Sequence, residues 1–393
     1  MKEAVIVAAC RTAVGKAPRG ALKDVRPETM GCAVLGELMQ RAPGLDPNQI
    51  DDVIIGTSFP EAVQGLNLAR VLVMAMGWPD RVPGVTVNRF CASGLQAIAQ
   101  GAERIMCGAA EVIVAGGVES MSQIPMGGNM LYPHPALVER RPGAYASMGL
   151  TAENVAERYG ISRQEQDAFG ARSQQRAAAA LSAGKFKSQI VPIEVSRQVP
   201  KETGGFEVVK AIFDTDEGVR AGTTVESIAG LKPAFKPKGS VTVGNASQTS
   251  DGASAVVLMS REKADELGLK PLVRYLGYAV EGCDPEYMGV GPVFAIPKVL
   301  RSTGLELSQI DLIELNEAFA AQSIYCIREL GLDEEKTNPN GGAIALGHPL
   351  GCTGAKLTTQ LIYELSAREA RYGMVSMCVG FGMGAAAIFE RIA

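Results

Sequence analysis

Four residues stand at turns where a side chain can meet a ligand: Cys91, Asn316, His348 and Cys378. Cys91 lies in Val87-Asn-Arg-Phe-Cys-Ala-Ser-Gly94, a stretch that reads as a strand turning directly into a helix. Unpaired N–H groups and the helix dipole favour a thiolate there, and such sites lower a cysteine pKa from about 8.5 into roughly the 3.5–7.5 range. His348 lies in a glycine-rich run, Asn340-Gly-Gly-Ala-Ile-Ala-Leu-Gly-His-Pro-Leu-Gly-Cys-Thr-Gly354. Glycines let the backbone approach a ligand, and Pro349 stiffens the turn. The chain has only two histidines, so a mechanism that needs an imidazole has two candidates. The other, His134 in Tyr-Pro-His-Pro, reads as part of an exposed loop. Cys378 precedes Val-Gly-Phe-Gly-Met-Gly384, where glycines at alternate positions permit a nest of N–H donors. Asn316, in Leu315-Asn-Glu-Ala-Phe319, can cap a helix or hold a water. Cys352 is a rival thiol four residues from His348, and spacing alone leaves a Cys352–His348 dyad open.

These residues need elements to position them. Short β-rich runs alternate with helical patterns over the first 117 residues, which predicts βαβ units around a mostly parallel sheet. Strands are expected at Ala4 to Ala9, Asp52 to Gly56, Val85 to Arg89 and Glu111 to Gly116. Helices are expected around Glu28 to Arg41, Gly65 to Met76 and Ser93 to Cys107. A repeat follows at an offset of 260 residues: Leu45-Asp-Pro-Asn-Gln-Ile-Asp51 is echoed by Leu305-Glu-Leu-Ser-Gln-Ile-Asp311, and Phe59 by Phe319. Ile113-Val114 is taken to answer to Met374-Val375, and Gly56 to Asn316. Two related halves are therefore expected, the first from residues 1–119 with 248–270, the second from 271–393. An insertion at 120–247 lies between them over one face. It holds a helix with a capping box at Ser162-Arg-Gln-Glu165 that Gly184 ends.

Composition narrows the classes. Charged residues are 20% of the chain and the net charge is −4 without a terminal run of one sign, which offers nucleic acid no footprint. The apolar run from Ala4 to Cys10 is too short for a signal segment or a membrane span, so a cytoplasmic protein is expected. Eight cysteines without C-x-x-C spacing argue against zinc and against a disulfide scaffold.

Asn88-Arg-Phe-Cys-Ala-Ser-Gly94, Asn316-Glu-Ala-Phe319, Gly341-Gly-Ala-Ile-Ala-Leu-Gly-His-Pro-Leu-Gly351 and Cys378-Val-Gly-Phe-Gly382, in that order and spacing, resemble the thiolase family over essentially the whole chain. The resemblance implies an α/β fold of two duplicated βαβαβαββ halves layered as αβαβα, with an inserted loop domain. It matches the family's nucleophile to Cys91, its base to His348 and its second thiol to Cys378. It also implies a role for Asn316 in holding a water, and for the N–H groups of Cys91 and Gly380 as an oxyanion hole. The implied reaction is thiolytic cleavage of 3-ketoacyl-CoA through an acyl thioester on Cys91, with coenzyme A as substrate and no metal or redox cofactor.

Contacts to CoA are carried over to Arg220, Ser227, Phe235, Ser247 and Phe319, and Lys232, Lys236 and Lys238 form an acid-free stretch suited to phosphates. Met148 and Met288 resemble lid residues. Phe381, Ser147 and a short covering segment from Met121 to Met148 are more like the degradative thiolases of β-oxidation than the acetyl-CoA C-acetyltransferases, which are the alternative. A homodimer or homotetramer is implied, as is association with other β-oxidation enzymes. Pairing is expected through the N-terminal half, where Val112 to Gly117 would form an apolar edge. A ketoacyl-synthase-like condensing enzyme would pair its cysteine with two histidines, and a non-catalytic acyl-CoA carrier would not require two thiols, a histidine and an asparagine together.

Overall fold

In the computed structural model, which describes residues 1–201 and 203–392, the expected strands form, some of them longer. Ala4–Thr12, Asp52–Gly56, Gly84–Val87 and Val112–Ser120 are joined by Ser250–Ser260, giving the order Gly84–Val87, Asp52–Gly56, Val112–Ser120, Ser250–Ser260, Ala4–Thr12. The first three run parallel and Ser250–Ser260 is antiparallel to both its neighbours. The second half repeats this layout with Leu312–Leu315, Tyr372–Val379, Met383–Arg391 and Val273–Gly282. Among the described residues the two sheets join edge to edge into one sheet through the pairs Val5↔Arg274 and Ile6↔Val273.

The repeat has a physical counterpart in each half. The Asp51 carboxylate accepts from the N–H groups of Glu111 (2.7 Å) and Val112 (3.1 Å), and Asp311 accepts from Arg371 and Tyr372, both at 2.9 Å. Asp52 pairs with Ile113 just as Leu312 pairs with Gly373. The offset is thus 260 here too, and the expected match of Ile113-Val114 to Met374-Val375 is one residue out.

Between the sheets cross two buried helices, Ser93–Met106 and Leu350–Ala367. Their crossing depends on Gly94 and Gly354, which are themselves 260 residues apart. A Cβ on Gly94 would lie 2.9 Å from Ala355 N and Gly351 O, and one on Gly354 would lie 2.3 Å from Leu95 N. Leu95, Ile98, Leu357 and Leu361 fill the layer between the sheets. Pro27–Arg41 and Leu68–Ala75 cover the outer face of the first sheet, and Gly291–Thr303 and Ala320–Leu330 that of the second. The layers therefore run αβαβα.

The intervening segment carries the helices Met148–Arg158 and Arg163–Ser182, the latter with the expected Ser162–Glu165 capping box. It also contains a hairpin, Ile193–Pro200 with Phe206–Phe213, that was not expected. A buried bidentate pair, Arg11 to Asp216 at 2.7 and 2.8 Å, pins the segment to the first sheet. The expectation that Val112 to Gly117 forms an edge is corrected: this strand is paired on both sides, because Ser250–Ser260 returns to cover it. The edge strand is Gly84–Val87 instead.

Candidate active site

The strand Gly84–Val87 ends in a tight turn. Asn88 Oδ1 accepts from Phe90 N (2.8 Å), and Asn88 Nδ2 donates to Ser58 O (3.0 Å). Phe90 is held at φ +43°, a strained value for a side-chain-bearing residue, and the chain then enters the 3₁₀ turn Phe90–Ala92 and the first central helix. This turn presents Cys91 to a buried space shared with Met121 and Leu350. Burial pushes the Cys91 thiol up to about 12, although the N–H groups of Gly380 and of Cys91 itself pull the other way. The expected lowered pKa is therefore corrected, because loss of water outweighs the donors at the turn.

His348 follows Gly347, which has φ +86°, and its N–H donates to Gln248 O (3.1 Å) and Ser250 Oγ (3.0 Å). Its ring is fixed at both nitrogens. Nδ1 lies 2.6 Å from Thr353 Oγ1, whose own hydrogen goes to Pro349 O at 2.9 Å. With that hydrogen on Pro349 O, Thr353 accepts from Nδ1–H, the tautomer that leaves Nε2 without a proton. Nε2 faces Asn316 Nδ2, a donor, at 3.3 Å, which fits the same tautomer. Burial, helped by the Lys356 charge, pushes the imidazole down to about 3 and keeps it neutral. Asn316 itself follows the strand Leu312–Leu315, and its N–H donates to Ser376 O (2.9 Å). Its Oδ1 is buried and has no partner among the described residues.

Cys378 sits fully buried near the end of Tyr372–Val379. Burial holds its thiol well above the ordinary range, reinforced by the charge that a Cys91 thiolate would carry close by. Beyond it Gly380 brings its N–H to Cys91 and lies against Phe90 and Met148. Phe381 (φ +62°) stacks on Phe90 with ring centroids 5.5 Å apart, and Tyr145 packs edge-on against Phe381 at 5.4 Å.

Met148, Met288, Phe319 and Cys378 share one apolar cluster. Phe235, half-exposed, meets Phe319 edge-to-face at 6.0 Å, and Ser247 N donates to Ala318 O (2.9 Å). These five expected contacts thus gather around Cys378. Arg220 and Ser227 are exposed and lie outside that cluster, and the Ser227 hydroxyl is already used in a capping box with Thr224. The lysine stretch is not acid-free in space: Lys236 pairs with Glu157 at 2.7 Å. His134 caps the short helix Pro135–Arg140 at the surface. Cys352 is buried in the second central helix, and among the described residues its thiol makes no hydrogen bond to His348, whose ring nitrogens meet Asn316 and Thr353.

Thr353 was missed. Its signal was a hydroxyl in the first helical turn after a lone histidine, but only the fold shows which nitrogen it meets.

Residues 4–262 match the profile described as "Thiolase, N-terminal domain", and residues 269–391 match "Thiolase, C-terminal domain". The chain belongs to the thiolase family. A protein of Bacillus subtilis (strain 168) named 3-ketoacyl-CoA thiolase is 57% identical over 99% of this chain and 100% of its own. One of Pseudomonas aeruginosa named acetyl-CoA acetyltransferase is 47% identical over the whole of both chains. Among solved structures, the crystal structure of the Bacillus anthracis acetyl-CoA acetyltransferase superposes with a TM-score of 0.89 at 44% identity, over 100% of this thiolase and 99% of that chain.

Proposed function

We propose that this thiolase cleaves 3-ketoacyl-CoA with CoA, giving acetyl-CoA and an acyl-CoA shortened by two carbons. The observation that carries the reading is that the buried thiols of Cys91 and Cys378 lie close to one another, while Leu350, two residues beyond a neutral His348 whose Nε2 faces Asn316, packs on Cys91. Nε2 takes the proton of Cys91, and the thiolate attacks the 3-keto carbon. The C2–C3 bond breaks and its electron pair becomes the enolate of acetyl-CoA. The enolate oxygen is met by the Nε2–H now on His348 and by a water that donates one hydrogen to Asn316 Oδ1 and the other to the enolate. Cys378, held protonated by burial, gives its proton to C2. The acyl group stays on Cys91 as a thioester. The Cys378 thiolate then takes the thiol proton of a second CoA, whose sulfur attacks the acyl carbonyl. The N–H groups of Cys91 and Gly380 hold the oxyanion, and the departing Cys91 thiolate recovers its proton from His348.

The degradative reading is supported by the aromatic stack Phe90–Phe381–Tyr145, which presents a half-exposed apolar surface beside Gly380. The second reading, an acetyl-CoA C-acetyltransferase restricted to acetoacetyl-CoA, is supported by the names of the Pseudomonas and anthracis relatives. Arg220, Ser227, Phe235 and Ser247 are proposed to meet the CoA nucleotide and pantetheine. A second copy of the chain is proposed to pair along the free edge Gly84–Val87, where Val85 is exposed. Eight free thiols suit a reducing cytoplasm. Mixing the purified protein with 3-ketooctanoyl-CoA tests the reaction: absorbance of the keto thioester should fall by no more than about one equivalent per active site without CoA and continuously once CoA is added, with hexanoyl-CoA as product. No loss with CoA, or continuous loss without it, contradicts it.

A further inference from the structure

Cys91 and His348 are carried by different halves of the duplicated chain, so proton transfer between them depends on how one turn is held against the other. Glu119 lies between those turns. It is 1% exposed, at the end of the strand Val112–Ser120, and its carboxylate accepts four hydrogen bonds. Oε2 takes the N–H groups of Ser58 and Gly351, both at 2.7 Å; Oε1 takes Gln64 Nε2 at 2.7 Å and Thr57 Oγ1 at 3.1 Å.

Each Oε2 bond leads to one side of the site. Ser58 O accepts from Asn88 Nδ2, and Asn88 Oδ1 accepts from Phe90 N beside Cys91. Gly351 is three residues beyond His348, in the first turn of Leu350–Ala367, whose N-cap Pro349 supplies no side-chain cap. Glu119 caps that helix from the other half, where a carboxylate also complements the helix dipole. Glycine at 351 makes the approach possible: a Cβ there would lie 2.5 Å from Thr57 Cα and 2.7 Å from Glu119 Oε2.

We propose that Glu119 is a positioning residue, a buried strut that sets the His348 turn against the Cys91 turn and acts only through those two residues. The inference rests on Cys91 as nucleophile and His348 as base. Glu119→Gln keeps the side chain's size but turns an NH₂ toward groups that are themselves donors. A displacement of about 1 Å can cost roughly 10²-fold in rate, so kcat for thiolysis is expected to fall about 10- to 100-fold with KM within about threefold. Alkylation of Cys91 by iodoacetamide should slow in parallel. In a His348→Ala background that slowing should disappear, because no base is left to position and loss of the carboxylate charge, which raises the Cys91 thiol, can only favour alkylation there.

Thr57→Val, which removes a single donor, should lower kcat about three- to tenfold, and it carries the same cycle if Glu119→Gln does not fold. Wild-type kcat in both variants overturns the proposal. So does an equal loss of alkylation rate with and without His348, which would mark Glu119 as structural alone. If the wild-type protein itself fails to cleave 3-ketoacyl-CoA, the proposed reaction falls, while the alkylation cycle still tests the strut.

Discussion

Replacing Thr353 by valine removes the hydroxyl at His348 Nδ1 and changes almost nothing in shape. Pro349 O keeps its bonds from Cys352 N (3.0 Å) and Thr353 N (2.9 Å), so the group left alone is the buried Nδ1–H, which loses a 2.6 Å contact. An orphaned buried donor costs about 1–3 kcal/mol, which is roughly 5- to 150-fold in an equilibrium. The ring can escape that cost by moving its proton to Nε2 while the Asn316 amide turns to accept it. In that state the nitrogen that should take the Cys91 proton already has one. We therefore expect Thr353→Val to lower kcat by roughly 10- to 100-fold with KM for the 3-ketoacyl-CoA little changed, read from initial rates of keto-thioester loss. Thr353→Ser, which keeps the hydroxyl, should recover most of the rate. A valine variant within twofold of wild type would show that the tautomer is set by something other than Thr353.

His348 is pushed down to about 3 from an ordinary 6.5, so the unfolded chain binds the proton more readily than the folded one. Its contribution to stability is present above pH 6.5 and is lost as pH falls toward 3. The urea midpoint should drop between pH 7 and pH 5 by less in His348→Gln than in wild type; equal drops contradict the assignment. Substrate range follows from the apolar surface at Phe90 and Phe381. Each buried CH₂ should add about 0.8 kcal/mol, close to fourfold, so kcat/KM should rise from acetoacetyl-CoA to 3-ketooctanoyl-CoA. A lower value for the longer substrate would favour the acetyltransferase reading. Light scattering should give at least twice the mass of one chain for wild type and a smaller species for Val85→Lys, which places a charge on the free edge. An active wild-type monomer would remove that interface.

Local features could be read from sequence because neighbouring residues decide them. The Ser162–Glu165 box starts its helix, and Gly184 lies just past that helix at φ +71°. The strand and helix around Cys91 and the offset joining Asp51 to Asp311 were legible for the same reason. What was hidden depends on distant segments. Whether Val112–Ser120 is an edge is decided by Ser250–Ser260, more than a hundred residues later. The Cys91 pKa follows the helix-terminus rule only while water can reach the thiol, and burial by Met121 and Leu350 reverses its direction. Glu119 looked like an unremarkable carboxylate after a strand, since its partner Gly351 lies 232 residues away in the other half. Thr353 lies only five residues from His348, but which ring nitrogen its hydroxyl meets is set by how the His348 turn enters the helix.

In the proposed mechanism the acyl group is carried on Cys91, with His348 and Cys378 only moving protons. Quenching the protein in acid after mixing with 3-ketooctanoyl-CoA, without added CoA, and digesting it for mass spectrometry tests this directly. A hexanoyl adduct on the peptide containing Cys91, absent in Cys91→Ser, is the expected result; an adduct on Cys352 or Cys378 instead would contradict that mechanism.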